Sequence, residues 1–320
     1  MLKYLLIQLD DCSTSFCHYP DYRGSTNLMP LSTLNEAIFW SMKENLTLQF
    51  LYPDYELPQA YKDVIAPTFH ADIVSSLCED NGLRAAADVV VFDTLASINY
   101  YPFDMRQAYV IRTTLHQLME QEGMIYAILP RVSRLSIVYT DIDTFSKDDE
   151  QDYGLFLDRL SNRIVDEYGK GHAVQVNILT DRILLDGMNN CNAGYETVTL
   201  APDGKFYVCP ALYLEREDGY SIGDLSNGPD IKNPQLYRLD HAPICRTCDA
   251  FQCKRCVWLN RKLTLEVNTP SREQCVMSHI ERNASLRLLS RLRQYIPTLN
   301  STDIPEIDYL DPFDNLIKND

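Results

Sequence analysis

Seven of the chain's ten cysteines lie in its last 130 residues, and their order is regular. Cys191 and Cys209 flank Gly204 as C-x12-G-x4-C; Cys245, Cys248, Cys253 and Cys256 follow as C-x2-C-x4-C-x2-C; Cys275 stands alone after them. Two cysteines separated by two residues can turn both sulfurs toward one ion, so thiolates at this spacing point to metal binding. Zinc and iron–sulfur clusters both use such donors. A structural zinc held by Cys245, Cys248, Cys253 and Cys256 would join its two knuckles through only four residues, against roughly 15–20 in a zinc ribbon. It would also leave Cys191, Cys209 and Cys275 unused. Two four-iron clusters account for all seven better, one with four cysteines and one with three and an open or non-cysteine position.

The rest of the chain must position those sulfurs. At 320 residues, 45% hydrophobic and 23% charged, it is long enough for two domains with ample core. The formal net charge of −16 argues against a nucleic-acid partner, which needs a basic face. No run approaches the ~18 apolar residues of a membrane span, and no membrane partner is expected. Met1 to Leu9 runs into Asp10 and Asp11 without a small-residue cleavage site, so it reads as a strand and not a signal peptide. A cytoplasmic location follows, where a cysteine framework binds metal sooner than it forms disulfides.

The first ~185 residues alternate apolar runs with amphipathic stretches, as an α/β domain with parallel strands does. Strands are expected at Tyr4 to Leu9, Thr47 to Tyr52, Asp88 to Phe92, Leu135 to Thr140 and Val174 to Leu179. Helices are expected at Ser32 to Glu44, Arg106 to Glu122 and Asp152 to Tyr168, with more helix between Glu56 and Ala85. An aspartate closes each strand (Asp10, Asp54, Asp93, Asp141, Asp181), either capping the next turn or forming an acidic rim. After Gly187 the pattern changes. Glu196 to Leu200 and Lys205 to Cys209 form a hairpin around Ala-Pro-Asp-Gly, and Ser271 to Tyr295 reads as a terminal helix.

The cysteine pattern, with "CNAGYETVTLAPDGKFYVCPA", "SIGDL" at Ser221 to Leu225 and "CRTC", resembles the seven-cysteine SPASM domain that follows the barrel of many radical SAM peptide-modifying enzymes. In that family the central gaps usually run one residue longer. The resemblance covers residues 188 to 280. It implies one auxiliary cluster on Cys191, Cys209 and Cys256, and a second on Cys245, Cys248, Cys253 and Cys275.

Radical SAM enzymes also carry C-x3-C-x2-C after the first strand, whose cluster binds S-adenosylmethionine. Here the loop is "LDDCSTSFCHYP". Cys17 resembles the last cysteine of the motif, but Asp10 and Thr14 stand at the other two positions and Cys12 is out of register. The Gly-Gly-Glu after the second strand is replaced by "LQFLYPDYELP". S-adenosylmethionine is therefore not expected, and Cys12 and Cys17 read as plain loop thiols, Cys78 as core. The layout as a whole resembles the CXXX repeat peptide maturases, predicted partners of a true radical SAM enzyme in Bacteroidales-type bacteria.

The expected architecture is α/β: a partial (β/α) barrel of radical SAM type at 1–187 with its radical site lost, a SPASM-type iron–sulfur domain with hairpin and helix at 188–296, and an acidic tail at 297–320. The expected role is a companion in peptide maturation, whose two 4Fe–4S clusters position a cysteine-containing precursor peptide or relay electrons to a partner radical SAM enzyme. Two alternatives stand beside it: a zinc-stabilised scaffold, and an active radical SAM enzyme with unusual ligands. The six histidines (His18, His70, His116, His172, His241, His279) suggest no metal pair, the twenty tyrosines read as structural, and Arg282, Arg287, Arg291 and Arg293 as a solvated face or a dock for the acidic tail.

Overall fold

A computed structural model describes residues 2–22, 24–185, 190–250, 253 and 256–304. Its eleven strands are β1 Tyr4–Gln8, β2 Thr47–Leu51, β3 His70–Ser75, β4 Val89–Phe92, β5 Ala108–Thr113, β6 Arg134–Tyr139, β7 Gln175–Val176, β8 Thr197–Leu200, β9 Lys205–Tyr207, β10 Ser221–Asp224 and β11 Gly228–Pro229. The helices are α1 Leu31–Lys43, α2 Gln59–Ile65, α3 Asn81–Ala86, α4 Leu115–Glu120, α5 Glu122–Ile128, α6 Asp149–Gly169, α7 Asn177–Leu184, α8 Pro210–Leu214, α9 Val257–Thr264 and α10 Arg272–Leu292. No helix among the described residues is long and apolar enough to cross a membrane.

All strands belong to one sheet in the order β11-β10-β9-β8-β1-β2-β3-β4-β5-β6-β7. Strands β1 to β7 pair in parallel, as the α/β alternation leads one to expect. Period-two alternation gives the sheet two apolar faces. Leu5, Ile7, Phe50, Val90, Tyr109 and Ile137 pack outward with the helices. Leu6, Leu51, Ile73, Val91, Val110 and Val138 form a separate inner cluster, onto which Phe16 packs.

The sheet does not end where the cysteine-rich segment begins. β8 adds to the free edge of β1 in parallel, Tyr4 opposite Thr197 and Ile7 opposite Leu200. β9 and β10 then continue it antiparallel. Gly204 turns the β8–β9 hairpin at φ +76. Gly223, in the Ser-Ile-Gly-Asp-Leu segment, sits at φ +139, where an added Cβ would lie 2.1 Å from the Gly228 carbonyl oxygen.

Three expected elements differ. Ala108–Thr113, expected inside a helix, is the buried strand β5, and the helix begins only at Leu115. His70–Ser75, expected within a helical stretch, is β3. The strand expected at Val174 to Leu179 stops at Val176 and becomes α7. Asn177 explains the switch: its side-chain oxygen accepts from the Ile137 N–H and its amide donates to the Ile137 carbonyl, each at 2.9 Å. The side chain stands in for a strand's backbone and frees the chain to coil. Asp181 consequently lies within α7, buried and paired with Arg134 at 2.6 Å, and not at a strand end.

Candidate metal centres and the barrel mouth

The loop after β1 folds back over the carboxyl end of the barrel, and carboxylates hold it there. Asp10 is fully buried: one oxygen accepts from the Cys12 N–H, the other from the Asn27 N–H and the Tyr55 hydroxyl. Asp11 pairs with Tyr213 and Arg216 at the end of α8, tying the loop to the cysteine-rich segment. Arg112 shares the inward parity of Val110 on β5 and is only 4% exposed. Its guanidinium meets Asp21 at 2.9 Å and also Asp93. It donates to the Cys17 carbonyl at 3.0 Å and to the Tyr19 carbonyl at 2.6 Å. Phe16 thus packs on the inner face, and Arg112 anchors the loop at the rim. Of the five aspartates, Asp10, Asp93 and Asp141 serve this local order, Asp141 by accepting from the Leu115 N–H. Burial and then the Asp21 charge push the Asp93 carboxyl up to about 6.

The cysteines gather in two groups. Cys191 precedes the turn into β8, Cys209 lies two residues past β9 at the N-cap position of α8, and Cys256 is at the N-cap position of α9. These three, with Cys17, line a cavity of about 290 Å³ whose other wall is the inner sheet face at Leu6, Gln49 and Thr199. The Cys17 and Cys256 thiols are in hydrogen-bond contact, which together with burial raises Cys256 well above the ordinary thiol range. Burial pushes Cys209 up to about 12, with Cys191 and Cys17 adding to it. Cys191 is exposed at the edge of the group, and its thiol is shifted the same way beside Cys17. Cys12 takes no part: its thiol is pushed up to about 12 by burial and by Asp10.

The second group is local. Cys245 and Cys248 sit on one 3-10 turn, closed by the Cys248 N–H to the Cys245 carbonyl at 3.2 Å. Cys253 follows, and Cys275 lies in the first turn of α10, whose cap is the Ser271 side chain. Burial pushes Cys275 up to about 12, with Cys253, Cys245 and Cys248 all contributing. Donors face these sulfurs: the Ala250 N–H to Cys248 at 3.3 Å and the Ser278 hydroxyl to Cys253 at 3.2 Å. Cys248 is shifted down; burial opposes this, but His279 and the Ala250 N–H prevail.

The sequence points to no pair of histidines, and the one histidine that enters a metal-like set does so beside a cysteine and an aspartate. Cys248, Asp249 and His279 bring their ligand atoms within 4.8 Å of one another. His279 stands four residues after Cys275, on the same face of α10, and that spacing was the available signal. Arg282, expected on a solvated face, is buried and paired with Asp249 at 3.1 Å. Arg287 and Arg291 do lie outside, bonded to Asp158 and Asn162. Arg293 donates to the Leu299 and Thr302 carbonyls. The acidic tail proposed for these arginines lies, from residue 305 on, outside the described residues.

The donor set suits a cationic sulfur-bridged centre. Thiols gathered at one cavity cannot all ionise unless positive charge sits among them. In the first group the cysteines line an open cavity, roomier than tetrahedral zinc at about 2.3 Å from each sulfur needs.

No protein-family model and no curated protein matches the chain. Its fold does match solved structures. Histidine-tagged anSMEcpe with bound AdoMet aligns over 94% of this chain and 98% of its own, with TM-score 0.64 and 14% identity. Native anSMEcpe with bound AdoMet and the Cp18Cys peptide gives TM-score 0.59 at 13% identity, over 94% and 99% of the two chains. The same enzyme with the Kp18Cys peptide gives 0.58 at 13%, over 93% and 99%. anSMEcpe is a radical SAM/SPASM enzyme, and the mixed α/β architecture with its parallel sheet is the fold shared with it.

Proposed function

We propose that this chain is a peptide-maturation companion. It binds two auxiliary 4Fe–4S clusters, on Cys191, Cys209 and Cys256 and on Cys245, Cys248, Cys253 and Cys275, and does not cleave S-adenosylmethionine itself. One observation carries the reading: Cys191, Cys209 and Cys256 line one cavity of the cysteine-rich segment, while the loop after β1 has Asp10 and Thr14 where a radical SAM motif has cysteines. Bound clusters would supply one-electron transfer and thiophilic iron. The chain's own part is to hold them beside the cavity on the inner sheet face, where a cysteine-containing precursor peptide is positioned or electrons pass to a partner radical SAM enzyme. That anSMEcpe was solved with a peptide bound supports the choice of partner class.

A second reading has its own support. The Cys248, Asp249 and His279 trio is close enough for a single ion, as in a zinc-stabilised scaffold. Full-length protein purified without oxygen decides between them. Iron, acid-labile sulfide and broad thiolate-to-iron absorption are expected, with no 5′-deoxyadenosine formed from S-adenosylmethionine under reduction. Zinc without sulfide would favour the scaffold, and deoxyadenosine would make the chain an active radical enzyme.

A further inference from the structure

We infer that Cys17, on the loop after β1, is the fourth protein ligand of the centre held by Cys191, Cys209 and Cys256. This rests on the iron–sulfur reading just given and sharpens it: the barrel's leftover cysteine has a new post, closing a cluster in the neighbouring segment. A 4Fe–4S core takes four thiolates. The second group has four of its own, Cys245, Cys248, Cys253 and Cys275, gathered around Cys275. The first has three from the cysteine-rich segment and lacks one.

Cys17 stands where the missing ligand belongs. It lines the same cavity as the other three sulfurs and touches the Cys256 thiol. The backbone around it is fixed before any metal arrives. Arg112 grips the carbonyls of Cys17 and Tyr19. Tyr19 packs edge-on against Trp258 of α9, with ring centroids 6.5 Å apart, two residues beyond Cys256. Phe16 anchors the other side on the inner sheet face. Cys12, the loop's other thiol, is drawn to Asp10 instead.

The consequence for substrate is direct. With Cys17 in place no iron of this centre is open, so an outside thiol binds there only after Cys17 is displaced. A precursor peptide is then recognised by the cavity walls and not by iron–thiolate capture.

The test uses the full chain purified anaerobically, with iron and sulfide counted and electron paramagnetic resonance recorded after mild oxidation. Cys17→Ala is expected to lose about one iron per chain and to show a 3Fe–4S signal, absent from wild type and from Cys12→Ala. Cys17→Ala with wild-type iron and spectrum overturns the inference alone. Wild type without iron and sulfide overturns the parent reading, and the two failures are told apart by which protein shows them. Should Cys17→Ala not fold, alkylation of wild type serves. Cys17 should be shielded together with Cys191, Cys209 and Cys256 until iron is removed by chelator; equal labelling before and after removal overturns the inference.

Discussion

The two cysteine groups use the same donor and are built in opposite ways. The second is assembled from one short block and the first turn of α10, and its sulfurs receive hydrogen bonds from Ala250, Ser278 and His279. The first is assembled from four distant places, walled by Tyr19, Trp258 and the inner sheet face, with open volume beside it. A local site is secured by its own loop. A dispersed site exists only when the whole chain is folded. Hydrogen bonds to sulfur and solvent access also set cluster potential, so the donor-rich second centre should be the easier to reduce.

The largest effect that could break this comparison is loss of one centre alone. Replacing two of the first centre's ligands together, Cys191→Ala with Cys256→Ala, should remove about half the iron while the second centre's spectrum persists; iron analysis that falls to zero would make the two groups one cooperative unit. Next comes Arg112→Ala. It strands Asp21 and Asp93, each about 30% exposed, and frees the loop bearing Cys17. Breaking a buried pair costs ~3–5 kcal/mol, and the partial exposure of these carboxylates sets the expected loss near ~3 kcal/mol in chemical denaturation. Iron should leave the first centre and stay in the second.

His279→Ala sharpens the contrast from the other side. Removing a group that orients and hydrogen-bonds a ligand costs about 10–100-fold in metal affinity, and chelator competition should show that loss in the second centre only. Equal loss from both would deny His279 its local role. The smallest effect is that of Asp93→Asn. Its carboxyl is raised to about 6 in the folded protein, so it favours folding below its unfolded value of about 4. That contribution disappears as pH rises through about 6. The variant should flatten the stability profile between about pH 4 and 6 by on the order of 1 kcal/mol, measured by thermal melts across pH; an unchanged slope assigns the titration elsewhere.

The same contrast separates what was legible in the sequence from what was not. Knuckle spacing is a short-range signal, so Cys245, Cys248 and Cys253 could be read as neighbours directly, and the α/β alternation gave β1, β2, β4, β6, α1 and α6 within a few residues. β5 was hidden because Ala-Tyr-Val-Ile-Arg-Thr, bracketed by Arg106 and the helical run after Thr114, carries no decisive period. β3 has only Ile73 and Val74 as strong apolar positions beside Ala71. α7 was missed because a side chain, Asn177, replaces a backbone partner. Cys17 was placed in the right loop, yet nothing in its neighbours Phe16 and His18 says that the loop faces Cys256. That contact is set by Arg112 and by the pairing of β8 with β1, both remote in sequence.

The parallel seam between β1 and β8 has a further consequence. β1 is the first strand among the described residues, and its second neighbour, β8, begins only at Thr197. Until then β1 exposes a raw hydrogen-bonding margin, and an amino-terminal fragment cut near residue 190 would keep that margin for good. Such a fragment should clump, and its carboxyl-terminal counterpart should lack a splint. The amino-terminal sheet is then the template on which the sulfur-rich half takes shape.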